Sequence, residues 1–108
     1  MKQLAKPKEE FTDLNEALIL INDFFLSIES DPRVGPMHIC LYLTLIDQMT
    51  IDKTNPISIR SRKIMSKAKI FGVGTYHRVI RDLNEFGYIE YVPSHYHRKA
   101  SQVYLKKI

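Results

Sequence analysis

The stretch Thr75-Tyr76-His77-Arg78-Val79-Ile80-Arg81-Asp82-Leu83-Asn84-Glu85-Phe86-Gly87-Tyr88-Ile89 carries two periodicities with a stop between them. Tyr76, Ile80 and Leu83 fall at offsets of four and three residues, with Val79 beside them and Phe86 continuing the row. That spacing predicts a helix over about Thr75–Phe86 with one face in a core. Gly87 stands where a left-handed C-terminal cap is expected. Tyr88-Ile89-Glu90-Tyr91-Val92, stopped by Pro93, then has the composition and alternation of a strand. The opposite helix face shows Thr75, His77, Arg78 and Arg81, with Asp82 and Glu85 further along.

Working upstream, Ser61 is placed to cap a short helix with Ile64, Met65 and Ala68 inward and Arg62, Lys63 and Lys67 outward. Lys69–Gly74 is the turn, where Gly72 and Gly74 permit backbone angles that other residues resist. The start of the next helix is open among Val73, Gly74 and Thr75. Ile57-Ser58-Ile59 is long enough for a single edge strand, after the loop Thr54-Asn55-Pro56. Gly35-Pro36 opens a helix running to about Met49, proline being tolerated in a first turn. Its apolar positions, including Met37, Ile39, Cys40, Leu41, Leu43, Leu45 and Ile46, cover most of the circumference, as expected of a central helix.

Residues 13–30 read as an amphipathic helix with Leu14, Leu18, Ile21, Phe25 and Ile28 in its main row, widened by Ala17, Leu20 and Phe24. Thr12 or Asp13 can cap it, Glu16 completing a capping box from Asp13. Residues 1–10 are polar and lysine-rich, and disorder is expected there. Downstream, Ser94–Ser101 is a polar basic loop and Gln102–Ile108 a returning strand. The expected order is helix, helix, short strand, helix, turn, helix, strand, loop, strand. This is one mainly α domain over residues 1–108 with a small β-hairpin (α+β), its core in residues 36–108 and an extra N-terminal helix over 12–30.

The chain has 108 residues, 44% hydrophobic and 26% charged, ordinary values for a globular protein. No apolar run approaches the roughly 20 residues of a membrane span. The single cysteine, Cys40, excludes an internal disulfide framework and fits a reducing cytoplasm. Net charge is +4 but unevenly spread. Residues 1–56 carry five Lys/Arg against nine Asp/Glu, a balance of −4, and residues 57–108 carry eleven against three, a balance of +8. A basic half of that size favours anionic partners, phosphates foremost.

The cationic groups of the 75–86 helix lie toward its N-terminal half, where backbone amides also suit a phosphate. Arg78 and Arg81 have the reach and fork geometry to read guanine; Thr75 can meet a phosphate or a thymine methyl. The loop His95-Tyr96-His97-Arg98-Lys99 is a second basic element on the same half.

The stretch from Thr75 to Leu83, followed by Phe86-Gly87-Tyr88-Ile89, resembles winged helix-turn-helix transcription regulators, whose recognition helix commonly ends in Leu-x-x-x-Gly-Tyr-Ile before the first wing strand. Tyr91-x-Pro93-Ser94 through Ala100-Ser101-x-Val103 is similar to small regulators on Bacteroidetes mobile elements. The resemblance covers about residues 57–105 and implies double-stranded DNA as partner, with the 75–86 helix in the major groove and loop 94–101 as the wing. Ala100 departs from the glycine more usual there. Base contacts are then expected from Thr75, His77, Arg78 and Arg81. Phosphate contacts are expected from Arg62, Lys63, Lys67, Lys69, Gly74, His95, Tyr96, His97, Arg98 and Lys99. A nucleoid-associated cytoplasmic location follows, with transcription regulation or an accessory role in replication or excision as the alternatives.

Other classes fit less well. Catalysis is not expected: Cys40 sits mid-helix where a buried inert thiol is the reading, Asp47 and Asp52 have no evident partner, and Gly72-Val73-Gly74 lacks the lysine and spacing of a P-loop. No cofactor or small-molecule ligand is expected. His95-x-His97, with His38 or His77, lacks the cysteine or carboxylate partners of a usual zinc site. A winged helix that binds protein would carry an apolar or acidic outer face. Single-strand binding would need a row of exposed aromatics, and only Tyr96 reads as exposed. The apolar surplus of the N-terminal helix points to a homodimer.

Overall fold

The structure is a computed structural model that describes residues 14–94 and 99–107. It contains helices α1 (Leu14–Ile28), α2 (Pro36–Asp52), α3 (Ser61–Ala68) and α4 (Val73–Glu85), with strands β1 (Ile57–Ile59), β2 (Ile89–Val92) and β3 (Ser101–Leu105). The strands form one antiparallel sheet in the order β1-β3-β2. Element order is that expected from the sequence. The cap expected at Asp13, and residues 1–10, lie outside the described residues.

Helix α2 is the hub, packing against α1, α3, α4 and β1. Gly35, in extended geometry, caps its start without a side chain, and Pro36 follows in the first turn. The Gly35 amide donates to Nδ1 of His38 at 2.9 Å, so an imidazole fills the place glutamate takes in a capping box. Leu41, Tyr42, Leu45 and Met49 are fully buried. Cys40, expected to be buried, is exposed. The polar side chains buried in α2 are His38, Thr44 and Gln48. Each has a partner: Thr44 donates to the Cys40 carbonyl at 2.8 Å, and Gln48 accepts from Lys67 at 2.8 Å and donates to Asp52 at 3.0 Å. Asp47 is likewise paired, to Lys67 at 2.9 Å. Buried polar atoms with partners avoid the penalty of unsatisfied ones.

Helix α1 presents Ala17, Leu20 and Phe24 to the core rather than its longest apolar row. Leu14 is 70% exposed, and Leu18 and Phe25 also face solvent, while Ile21 and Ile28 pack at the margin. Both rows have helical spacing, so periodicity alone could not choose between them. Aromatic packing decides: Phe24 stacks on Tyr42 with centroids 3.8 Å apart and meets Tyr88 edge-on at 5.3 Å.

In the sheet, Ile57 and Tyr91 lie opposite Val103 from either side, and Ile89 lies opposite Leu105. Asn55 extends the β1–β3 ladder by one step with its side chain, donating to the Leu105 carbonyl at 2.8 Å and accepting from its amide at 3.0 Å.

One junction differs from expectation, and a second, left open in the sequence, is settled. Arg60, not Ser61, is the N-cap of α3, and Ser61 is its first residue. Helix α4 begins at Val73 with Gly72 as N-cap, two residues before Thr75, because the Gly72 carbonyl already accepts from the Tyr76 amide at 2.9 Å. The turn is therefore Lys69–Gly72. It is entered through Lys69 at φ 61, a left-handed conformation that closes α3. At the far end of α4, Gly87 has φ 92. The Tyr88 amide bonds the Leu83 carbonyl and the Gly87 amide that of Asn84, the paired bonds of a Schellman cap.

A polar clamp fixes that end against the α1–α2 loop. Arg33 grips Asp31 through two side-chain bonds of 2.8 and 2.9 Å, and the Tyr88 hydroxyl donates to Asp31 at 2.5 Å. The Arg33 guanidinium also lies 4.1 Å above the Phe86 ring. Arg33, then Tyr88, holds the Asp31 carboxyl far below the usual carboxylate range. Burial, then the bond to Asp31, pushes the Tyr88 phenol up to about 12.

A depressed carboxyl stabilises the fold above its unfolded value and loses that contribution as pH falls. Asp31→Asn should therefore flatten the decline of stability below about pH 4, measured as urea midpoints across an acid series. Parallel decline in both proteins would show that the clamp is not coupled to folding.

Candidate functional site

Tyr76, Val79, Ile80 and Leu83 are buried, which turns Gly74, His77, Arg78, Arg81 and Glu85 outward. Thr75 is partly buried at the leading end, near Gly72. The outer face divides along its length. Arg78 leans toward α2, with Nη1 3.4 Å from Asp82 Oδ2. His77 and Arg81 lie on the other side, beside the hairpin.

Between α4 and the hairpin runs an open cleft of about 640 Å3. Its cations come from three places in the fold: Arg60 and Arg62 at the start of α3, Arg81 from α4, and Lys99 from the loop between β2 and β3. Glu85 is the one carboxylate among the described lining residues. The first amides of α3 lie at the same edge, and a helix start favours negative charge. The Asn84 side chain ties the walls together by accepting from the Tyr91 amide at 2.9 Å. Such a cleft has the charge and the open shape to receive a polyanion. Among the described residues no three His, Cys, Asp or Glu are grouped to hold a metal ion. No helix among them is long and apolar enough to cross a membrane.

Asp82 links the trailing half of α4 to the buried face of α2. Buried His38 accepts the Gly35 amide at Nδ1, so its Nε2 carries the hydrogen and donates to Asp82 Oδ2 at 2.9 Å. Asp82 is thus oriented from beneath while it faces Arg78. The Arg78 contact is long and exposed, worth a few tenths of a kcal/mol at most, so it aims the guanidinium without tying it down.

The expected phosphate set is only partly free. Arg62, Lys63, Lys69 and Lys99 are exposed. Lys67, expected to point outward, instead bridges Asp47 and Gln48 and is corrected to a cross-link between α3 and α2. His95, Tyr96, His97 and Arg98 lie outside the described residues. Arg60 was missed, although the run Arg60-Ser61-Arg62-Lys63 concentrates charge at a strand–helix junction. Phe71 and Val73, at the turn and the start of α4, were also missed and are both exposed. The expectation that only Tyr96 would be an exposed aromatic is overturned by Phe71 and Phe25.

No family model matches this sequence, and neither curated proteins nor solved structures give a match.

Gly74 has no internal reason to be glycine: its φ is not left-handed, and a Cβ added there meets nothing within 4 Å. Glycine in a helix costs roughly 0.5–1 kcal/mol relative to alanine. Gly74→Ala should therefore raise stability by about that amount in urea unfolding. A destabilised variant would mean that the helix start is tighter than its geometry.

Proposed function

We propose that this chain binds double-stranded DNA sequence-specifically as a winged helix-turn-helix protein and acts as a transcriptional regulator in the nucleoid. In this reading α3 and α4 are the helix-turn-helix, α4 enters the major groove with its leading half, and loop 94–101 is the wing. The observation that carries the proposal is the outward face of α4 continuing into a cleft whose cations converge from α3, α4 and the hairpin loop. A phosphate ridge between major and minor grooves has the charge and extended shape to occupy it.

The division of labour follows from reach. Arg62, Lys63, Lys69 and Lys99, with Arg60 in the cleft, neutralise phosphates. They set register and supply the salt-dependent affinity. Arg81, expected from the sequence at a base edge, lines the same cleft and can serve either role. The bare backbone at Gly74 lets a phosphate approach the helix start. Arg78, aimed by Asp82, reads a base edge, with Thr75 and His77 beside it. The wing residues His95, Tyr96, His97 and Arg98 belong to the same phosphate set on sequence grounds.

We further propose a homodimer through the outer face of α1. Leu14, Leu18 and Phe25 form an exposed apolar row there, and dimers of this kind read half-sites about one helical turn apart. Sedimentation of the full chain should show a dimer that Leu18→Glu dissociates. A monomer at micromolar concentration, with and without DNA, would remove this part of the proposal.

Selection from random duplexes at two salt concentrations should enrich a motif. On that motif Arg78→Ala should cost about 1–3 kcal/mol and relax preference at one position. Lys99→Ala should weaken all sequences alike and reduce the salt slope by about one. Uniform loss from both variants would refute the assignment of Arg78 to base reading.

A further inference from the structure

Phe71 and Val73 are apolar residues that the fold leaves largely in solvent. Phe71 is 82% exposed and Val73 is 60% exposed, although Ile70 beside them is buried. They flank Gly72, the N-cap of α4, and are followed by Gly74, where a missing side chain leaves open space. Together they make a small apolar tip on the leading end of the helix.

The surroundings of that tip select its occupant. An apolar patch that meets another protein is commonly broad and continuous with further apolar surface. Here two side chains stand among Lys69, His77 and the cationic face of α4, all exposed. A complementary ligand has negative charge at its rim and small apolar groups on its floor. The major groove of duplex DNA has that arrangement: phosphates line its edges, and the C5-methyl of each thymine projects into it. Two bulky apolar residues flanking the N-cap would meet such methyls where the longer Arg78 reaches a hydrogen-bonding base edge.

We infer that Phe71 and Val73 are specificity-determining residues that read thymine C5-methyl groups in the major groove. This inference rests on the DNA-binding reading above. It adds a preference for A·T pairs at the positions under the start of α4, made by apolar contact alone.

Replacing thymine by uracil removes the methyl and leaves every hydrogen-bonding group in place, which isolates this contact. The full chain and its Phe71→Ala and Val73→Ala variants would be titrated with duplexes selected from a random library, each made once with thymine and once with uracil. Wild type should bind the uracil form about fourfold more weakly for each methyl covered. Each variant should lose part of that ratio while keeping its thermal midpoint, since both side chains are exposed. Equal binding of the two forms by wild type overturns the inference and leaves the DNA-binding reading standing. A wild-type ratio retained in both variants also overturns it; if those variants lose self-association in sedimentation as well, the tip belongs to a second copy of the chain. Absence of binding to any duplex at low salt rejects the reading and the inference together.

Discussion

Burial of Tyr76, Val79, Ile80 and Leu83 fixes the roll of α4 about its own axis, and that roll decides which groups reach solvent. Each such side chain gains on the order of 1.5–3 kcal/mol from leaving water. Turning the helix by one residue would expose much of this stripe and drive Arg78 or Arg81 toward the core. The charged face therefore follows from the apolar one. Helix α2 supplies the other half of the constraint, since it touches α1, α3, α4 and β1 and holds them at fixed relations.

Polar cross-links then add precision at the edges of this core. The imidazole of His38 closes the start of α2 and orients Asp82 on α4, so one side chain serves two helices. Lys67 and Gln48 join α3 to α2, and the Asp31–Arg33–Tyr88 clamp holds the far end of α4 to the α1–α2 loop. Asn84 anchors the first hairpin strand to α4, which sets the width of the cleft. Helix, turn and hairpin are thus braced at several points.

Elements marked by a clear period and a glycine or proline stop were legible in the sequence. Gly87 and the Tyr76–Leu83 stripe placed the end and inner face of α4, and Pro36 placed the start of α2. The sequence was ambiguous wherever two solutions share one spacing. Helix α1 has two apolar rows, and only the stack of Phe24 on Tyr42 selects the inner one. Cys40 is exposed where burial was expected, while His38, Thr44 and Gln48 are buried, because a hub helix can bury polar groups that find partners within it or on its neighbours. Lys67 read as a surface cation because its partners Asp47 and Gln48 lie some twenty residues upstream, beyond any local pattern. The start of α4 stayed open among Val73, Gly74 and Thr75 in the sequence, since glycines at 72 and 74 suit either a turn or a helix start, and the structure selects Val73. The cations of the candidate cleft were mostly visible as residues, but their convergence from three elements was not.

The most direct test of the central claim is a residue-resolved NMR titration of the full chain with a mixed-sequence DNA duplex at low salt. Amide shifts should concentrate at 60–63, in the leading half of α4 and around Lys99–Ser101, with the outer face of α1 unmoved. Shifts confined to α1, or none at all, would contradict that claim.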